Sequence, residues 1–363
     1  MHTITSPTGT AVQLQRARRK RGFFFWMRWV LLVLVMALVA LGGAGAVYQA
    51  VATALDQRAY PPPGQLVDVG GYKLHISCSG TGSPTVILEA GLANPSSIWG
   101  WIQPEVAKST RVCAYDRAGV GWSDPGPEPR DAQQIVRELH TLVSNAHIPG
   151  PYILVGHSYG GKYVRVYAAA YPSDVAGMVL VDAGHPDQWT RTPQGQAEYT
   201  KNKRLNYIAP WLARFGILRV FNFFPLNQDL PSHEAAAYKA FVDSTQFALV
   251  NRAEFDATLD TDAQTRAAGN LGTLPLYVLT ATDHGYATGN TTSDAQLSQF
   301  QHLEQLWQDQ QRELMVLSSN SVQRVVQGAS HASLQIKQTD AQATIEAIRQ
   351  VVEAARTGQP VKL

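Results

Sequence analysis

The longest uninterrupted feature of the chain is an apolar run near its start. From Trp29 to Tyr48 (WVLLVLVMALVALGGAGAVY) no residue carries a formal charge, and about 20 helical residues cover the ~30 Å of a bilayer's hydrocarbon. After Pro61-Pro62-Pro63-Gly64, which reads as a stiff linker ending in a turn, apolar positions come in short runs punctuated by turns. VDVGG and YKLHISCSG (67–80) read as a hairpin around Gly70-Gly71. TVILEAGL (85–92), RVCAYDRAG (111–119), YILVGH (152–157) and GMVLVDAG (177–184) are almost continuously apolar, the pattern of strands buried on both faces. Between them, 131–147 sets Ile135, Leu139, Leu142 and Val143 on one helical face behind Asp131, a candidate N-cap, and a small-residue helix runs to about Tyr171.

The alternation stops at about Pro186. As far as Leu274 there are only helical stretches rich in Trp, Phe, Tyr and Leu; then LPLYVLTA (274–281), a polar helix over 294–316, VQRVVQGASH (322–331) and a last helix with Ile345, Ile348, Val352 and Ala355 in register follow. The pattern predicts an α/β fold with a mainly parallel sheet flanked by helices, interrupted by a helical cap and preceded by one transmembrane helix. The expected organisation is a basic tail (1–28), a span (29–48), a linker (49–66), a core (67–185 and 275–356) and a cap (186–274).

Charge changes this picture at one end only. The net charge is +2, but residues 1–28 hold Arg16, Arg18, Arg19, Lys20, Arg21 and Arg28 and no acid, leaving 24 bases and 28 acids elsewhere. A mildly acidic body argues against a nucleic-acid binder, whose basic footprint belongs on the folded domain. Basic residues before the span retain the N-terminus in the cytoplasm and send the body across. A cleaved signal sequence, with Ala44-Gly45-Ala46 as its small-residue site, is the competing reading; the run's extension past that site favours a retained anchor. Either way the body lies outside the cytoplasm, membrane-anchored or secreted. In that compartment Cys78 and Cys113 are free to pair, the alternative being two buried thiols. No Cys/His spacing of a metal site appears, so neither metal nor cofactor is expected.

The sharpest chemical motif is Gly156-His157-Ser158-Tyr159-Gly160-Gly161, between an apolar strand and a helix. A bare G-x-S-x-G is a weak signal, but this context is that of a nucleophile elbow, where flanking glycines let strand and helix approach a strained serine. A serine nucleophile needs a base, and the base an orienting acid; the elbow's chain order is Ser, acid, His. His331 follows the last expected strand and suits the base. Asp283, ending LPLYVLTATD, is the preferred acid, and Asp182, ending GMVLVD, is its alternative. His157 is expected to pack or hydrogen-bond, and His185, His284 and His302 are weaker candidates. For the oxyanion, the backbone N–H groups of Tyr159 and Leu92 are the expected donors.

These residues resemble the α/β-hydrolase superfamily over about 67–356. LEAGLANPSSIW, Tyr115-Asp116-Arg117-Ala118-Gly119-Val120-Gly121-Trp122-Ser123-Asp124, the elbow and GMVLVDAGHPDQ carry the resemblance, and the whole looks like membrane-anchored bacterial members. Two departures stand out. Ala90-Gly91 replaces the family's histidine-glycine pair, and Asp283 comes one residue early after a strand lacking the usual glycine. The family's topology implies that the second and fourth strands are neighbours, which would bring Cys78 and Cys113 together.

A serine at the elbow disfavours the branches that attack with a carboxylate. The resemblance implies a carboxylesterase or lipase-like serine hydrolase acting on a small-molecule ester, with the membrane as its other partner through the N-terminal helix. A ligand-sensing receptor with little turnover, or an acyltransferase or C–C hydrolase using the same groups, are the alternatives. Trp211, Phe215, Phe221, Phe223 and Phe224 are read as an apolar surface for that substrate, or as the cap's own core.

Overall fold

The protein is described by a computed structural model covering the backbone of residues 8–284 and 294–363 and the side chains of 23–284, 297–298 and 301–363. The side chains of the basic cluster at 16–21 lie outside the described residues. The helix α1 (Thr8–Ala59) comes first; it contains the whole apolar run and extends beyond it. Its stretch Phe23–Ala59 is long and apolar enough to cross a membrane.

A hairpin of β1 (Gln65–Asp68) and β2 (Lys73–Ser79) follows, turning at Gly70 and Gly71 with φ of 119° and 100°. Glycine takes that conformation at little cost, and Asp68 Oδ1 accepts from both glycine N–H groups. Next come β3 (Thr85–Glu89), α2 (Ile102–Val106), β4 (Val112–Tyr115), α3 (Ala132–Asn145), β5 (Tyr152–His157), α4 (Tyr159–Ala170) and β6 (Val175–Val181). The Asp131 carboxylate caps α3 by accepting from Gln134 N–H. Five helices then form the insertion: α5 (Pro193–Arg214), α6 (Ile217–Val220), α7 (Ser232–Val242), α8 (Thr245–Asp256) and α9 (Thr258–Ala267). The chain closes with β7 (Leu276–Asp283), α10 (Asp294–Met315), β8 (Ser321–Ser330), α11 (Ser333–Ile336) and α12 (Gln338–Thr357).

The eight strands make one sheet in the order β1-β2-β4-β3-β5-β6-β7-β8, antiparallel at β1/β2 and β2/β4 and parallel elsewhere. Strands β3, β4 and β5 are buried along their whole length, as their unbroken apolar runs require. One layer of core joins the sheet to α3 and α4 through Leu139, Tyr163 and Val164; the other joins it to α2 and α12 through Ile102, Ile345 and Val351. Cys78 and Cys113 face each other across β2 and β4, with Cα atoms 4.0 Å apart, and form a disulfide. In an open parallel sheet the ligand crevice lies at the carboxyl ends of the strands near the point where connections reverse. Here β5 occupies that position, and the elbow is the first residue group beyond it.

Candidate active site

Ser158 stands between β5 and α4 with φ 53° and ψ −122°, a conformation rare for any residue but glycine. Its neighbours make the bend possible. A Cβ on Gly156 would come 2.6 Å from the Gly160 carbonyl carbon, and a Cβ on Gly160 would collide with the Glu89 and Ala90 carbonyl oxygens. The Ser158 carbonyl accepts from Gly161 N–H (3.0 Å) and Gly184 N–H (2.9 Å), tying the elbow to the end of β6. These constraints hold the strained serine in place, as the motif's glycines lead one to expect.

His331 lies just beyond β8, its side chain about one-third exposed. Its Nδ1 is 2.6 Å from Asp182 Oδ2, so Nδ1–H donates and Nε2 is the basic nitrogen. This corrects the preferred acid. The partner of the imidazole is Asp182 and not Asp283, whose side chain is exposed and whose backbone carbonyl instead accepts from His331 N–H at 3.3 Å. The register explains the difference. Val181 pairs with Leu279 on β7, and Asp182 N–H donates to Leu279 O, so Asp182 turns under the site at φ 43°. Strand β7 continues two residues beyond an irregularity at Ala281, carrying Asp283 out to pair with Ser330.

Asp182 is fully buried and every acceptor direction is used. Oδ1 accepts from Ala281 N–H (3.0 Å) and Trp307 Nε1–H (2.9 Å), while Oδ2 accepts from His331 and from His284 Nε2 at 2.8 Å. Burial alone would raise its carboxyl pKa, but the hydrogen bonds from the two imidazoles outweigh that and hold it well below the ordinary range. His284 also reaches Glu304 Oε2 through Nδ1 at 2.8 Å. Burial opposes its charge, yet the two carboxylates prevail and its pKa is raised. Asp182, His284 and His331 are of metal-ligating types with ligand atoms within 4.8 Å of one another. Their separations are those of charge-assisted N–H···O bonds converging on one oxygen, which makes the group a proton network.

His157 plays a separate part. Its Nε2–H donates to the His331 carbonyl at 2.9 Å, and burial pushes its pKa down to about 3, keeping the ring neutral. The His157 and His331 rings are 4.6 Å apart. A Cβ built on Gly91 would sit 3.1 Å from Ser158 Cβ and 3.2 Å from His157 Nδ1. The loop after β3 with Leu92, the elbow with Tyr159, and the His331 loop therefore converge on one point.

That loop is held by a buried clamp not singled out from the sequence. Arg117 donates to Ala90 O (2.9 Å) and Gly91 O (2.7 Å), and pairs with Glu89 (2.6 Å) and with Glu254 of α8 (2.8 Å); Glu254 also accepts from Ala93 N–H (2.8 Å). Tyr115 donates to Glu89 from the other side. Removing the guanidinium leaves two buried carboxylates uncompensated, and such losses cost about 3–5 kcal/mol. Arg117→Met is therefore expected to lower the unfolding free energy by that amount in chemical denaturation. A change below about 1 kcal/mol would show that the clamp contributes no net stability. Equally hidden in the sequence are Trp307 and Glu304, which sit on a polar helix 125 and 122 residues from Asp182.

A cleft of about 740 Å³ opens between the start of α5 and α10, lined by Trp189, Leu303, Leu306, Trp307 and polar groups such as Gln188 and Gln310. It adjoins the site: Trp307 bonds Asp182, and Trp189 Nε1–H donates to the Tyr159 hydroxyl at 3.0 Å. The aromatics expected to form a substrate surface are elsewhere. Trp211, Phe215, Phe221 and Phe223 are exposed on the outside of the cap, and only Phe224 joins its small core.

A family model described as alpha/beta hydrolase fold matches residues 84–306. An uncharacterized protein of Schizosaccharomyces pombe is 31% identical over 201 residues, 46% of this chain and 37% of its own length. The chain spans between about a fifth and a little over half of the curated relatives it matches. Among solved structures, a thermophilic esterase from Thermogutta terrifontis superposes with a TM-score of 0.58 at 17% identity, covering 81% of this chain and 100% of that one. The epoxide hydrolase CorEH does so with a TM-score of 0.58 at 17% identity, covering 78% and 96%. At such identities the likeness speaks for the fold.

Proposed function

Because the chain belongs to the α/β-hydrolase family, we propose that it is a serine hydrolase that cleaves carboxylic esters through an acyl-enzyme, outside the cytoplasm and anchored by α1. The observation that carries this reading is the 2.6 Å contact of His331 Nδ1 with a buried, ionised Asp182, in a protein whose elbow holds Ser158 at φ 53° and sets the neighbouring His157 ring 4.6 Å from that of His331. A serine at the elbow suits ester chemistry. A carboxylate nucleophile, needed to open an epoxide by the alkyl-enzyme route, is not what this chain offers there.

In the proposed reaction Ser158 Oγ attacks the ester carbonyl while its proton passes to His331 Nε2. Asp182 stabilises the imidazolium that results. The backbone N–H groups of Tyr159 and Leu92 receive the oxyanion, a donor of this kind typically contributing about 2.7–4 kcal/mol. Collapse expels the alkoxide, which takes the proton from His331, and leaves Ser158 acylated. Water, deprotonated by His331, then attacks the acyl carbon and releases the acid and the free serine. The cleft between α5 and α10, with two tryptophans and two leucines, suits an apolar acyl or alkyl group of small to medium size.

The export reading is supported by the basic residues ahead of the apolar run and by the Cys78–Cys113 disulfide, which belongs to an oxidising compartment. A membrane-impermeant fluorophosphonate tests reaction and side together. Intact cells are expected to label at Ser158 as strongly as permeabilised ones. No labelling in either preparation would remove the activated serine, and labelling only after permeabilisation would reverse the orientation.

A further inference from the structure

The uncharged part of α1 is longer than a bilayer needs. It runs from Trp29 to Leu55, 27 residues, where about 20 span the hydrocarbon. The surplus does not stand free. Gln49 is buried and donates to Asp243 O (2.8 Å), Asp56 pairs with Arg219 (2.7 Å), and Trp122 Nε1–H donates to Tyr60 O (2.8 Å). Contact with the cap begins within the apolar run itself. A Cβ on Gly42 would lie 3.6 Å from the Phe215 ring, one on Gly45 would collide with the Phe215 carbonyl oxygen, and one on Gly216 would meet Tyr48 at 3.1 Å. Gly45 and Gly216 thus let the α5–α6 corner lie flush against the last two turns of the span.

That corner is apolar and outward-facing. Ile208, Trp211, Phe215, Val220, Phe221 and Phe223 are all exposed, Phe221 to 71% and Val220 to 63%. Ile208 and Trp211 share one face of α5 by their spacing, and Phe215 follows at its C-terminal cap. Residues 199–228 also carry five bases and no acid; Lys201, Lys203 and Arg219 pair with Glu198, Asp256 and Asp56, and the other two are Arg204 and Arg214. Arg214 stacks over the Trp211 ring at 5.4 Å. Aromatic side chains backed by cations are what an anionic lipid surface attracts.

We propose that the α5–α6 face of the cap is a membrane-docking surface that sinks into the headgroup region beside the chain's own anchor, and that the site takes esters resident in that leaflet. The proposal rests on the anchor reading of α1 and deepens the esterase reading. Helix α5 links the two places: Gln194, Glu198 and Asn202 line the cleft next to Trp307, and the exposed face begins at Leu205, within one turn. An ester held in the leaflet therefore has a path along one helix to the site.

The test uses the full chain in phosphatidylcholine vesicles containing one-fifth phosphatidylglycerol, with an environment-sensitive dye on Phe221→Cys and, as control, on exposed Val316→Cys at the end of α10. The dye at 221 is expected to shift to the blue and to be quenched several-fold more by lipids spin-labelled near the headgroup than the dye at 316. A vesicle-bound protein whose 221 dye stays open to aqueous iodide retains the anchor and overturns the docking. Shielding from both quenchers marks a protein contact and overturns it as well. Loss of the protein from the vesicles on flotation fails the anchor reading itself. For the substrate class, Trp211→Ser with Phe221→Ser is expected to cut turnover of a long-chain ester embedded in vesicles about tenfold while leaving a water-soluble short ester unchanged. Equal effects on both esters overturn the leaflet-resident substrate, and a short ester that is not turned over by the unmodified enzyme fails the esterase reading instead.

Discussion

Ser158→Ala is expected to abolish ester turnover, lowering kcat on the order of 10⁶-fold, as loss of the nucleophile does where serine, histidine and acid act as one unit. The fold is expected to survive. Alanine lacks only the hydroxyl oxygen, and every hydrogen bond that secures the elbow runs through the Ser158 backbone: N–H to Val181 O, and the carbonyl to Gly161 and Gly184. Thermal unfolding should therefore shift little while activity against a short p-nitrophenyl ester disappears. A variant that keeps more than about a hundredth of the activity would place the nucleophile elsewhere. A wild-type enzyme with no more turnover than the variant, yet with saturable binding of a small ligand, would make the protein a receptor on a hydrolase scaffold.

Asp182→Asn is expected to lower kcat about 10⁴-fold, about 5 kcal/mol in transition-state stabilisation. Two effects add. The amide removes the negative charge that balances the imidazolium, and an amide NH₂ facing Nδ1 turns the His331 ring to the wrong tautomer. The remaining contacts to Oδ1, from Ala281 N–H and Trp307 Nε1–H, are ones an asparagine oxygen still accepts. Asp283→Asn supplies the contrast: its backbone meets His331, its side chain is exposed, and kcat is expected to stay within a few-fold. Equal losses from the two substitutions, or a larger one at Asp283, would overturn the assignment. His284 makes Asp182 unusual, because a second imidazole with a raised pKa leans on the same carboxylate oxygen. That neighbour helps keep Asp182 ionised and spreads its charge over two partners.

Much of the fold was legible because it depends on short-range pattern. The all-apolar strands read as buried because a strand covered on both faces has no polar side. The elbow read as one because glycine at 156 and 160 is a local steric demand. The acid did not. Asp182 and Asp283 both end parallel strands after the serine in chain order, so spacing gives them the same rank. The decision lay in how far β7 extends past β6, which is a matter of sheet register. The cap aromatics failed for a similar reason: helical periodicity marks a face as apolar without saying whether protein, cavity or lipid covers it.

By itself, the order of residues determined an α/β body behind a membrane-length helix, a strained serine at the end of a buried strand, and a histidine held back until the last strand had passed. These follow from composition, periodicity and the conformational demands of glycine, all of which act within a few residues. Only the tertiary structure decided which carboxylate meets His331, that Arg117 and Glu254 clamp the loop carrying Leu92, and that the cap turns its aromatics outward beside α1. Those outcomes join groups more than a hundred residues apart, and the energy that selects among them comes from burying charge and packing helices, which no local window of sequence records.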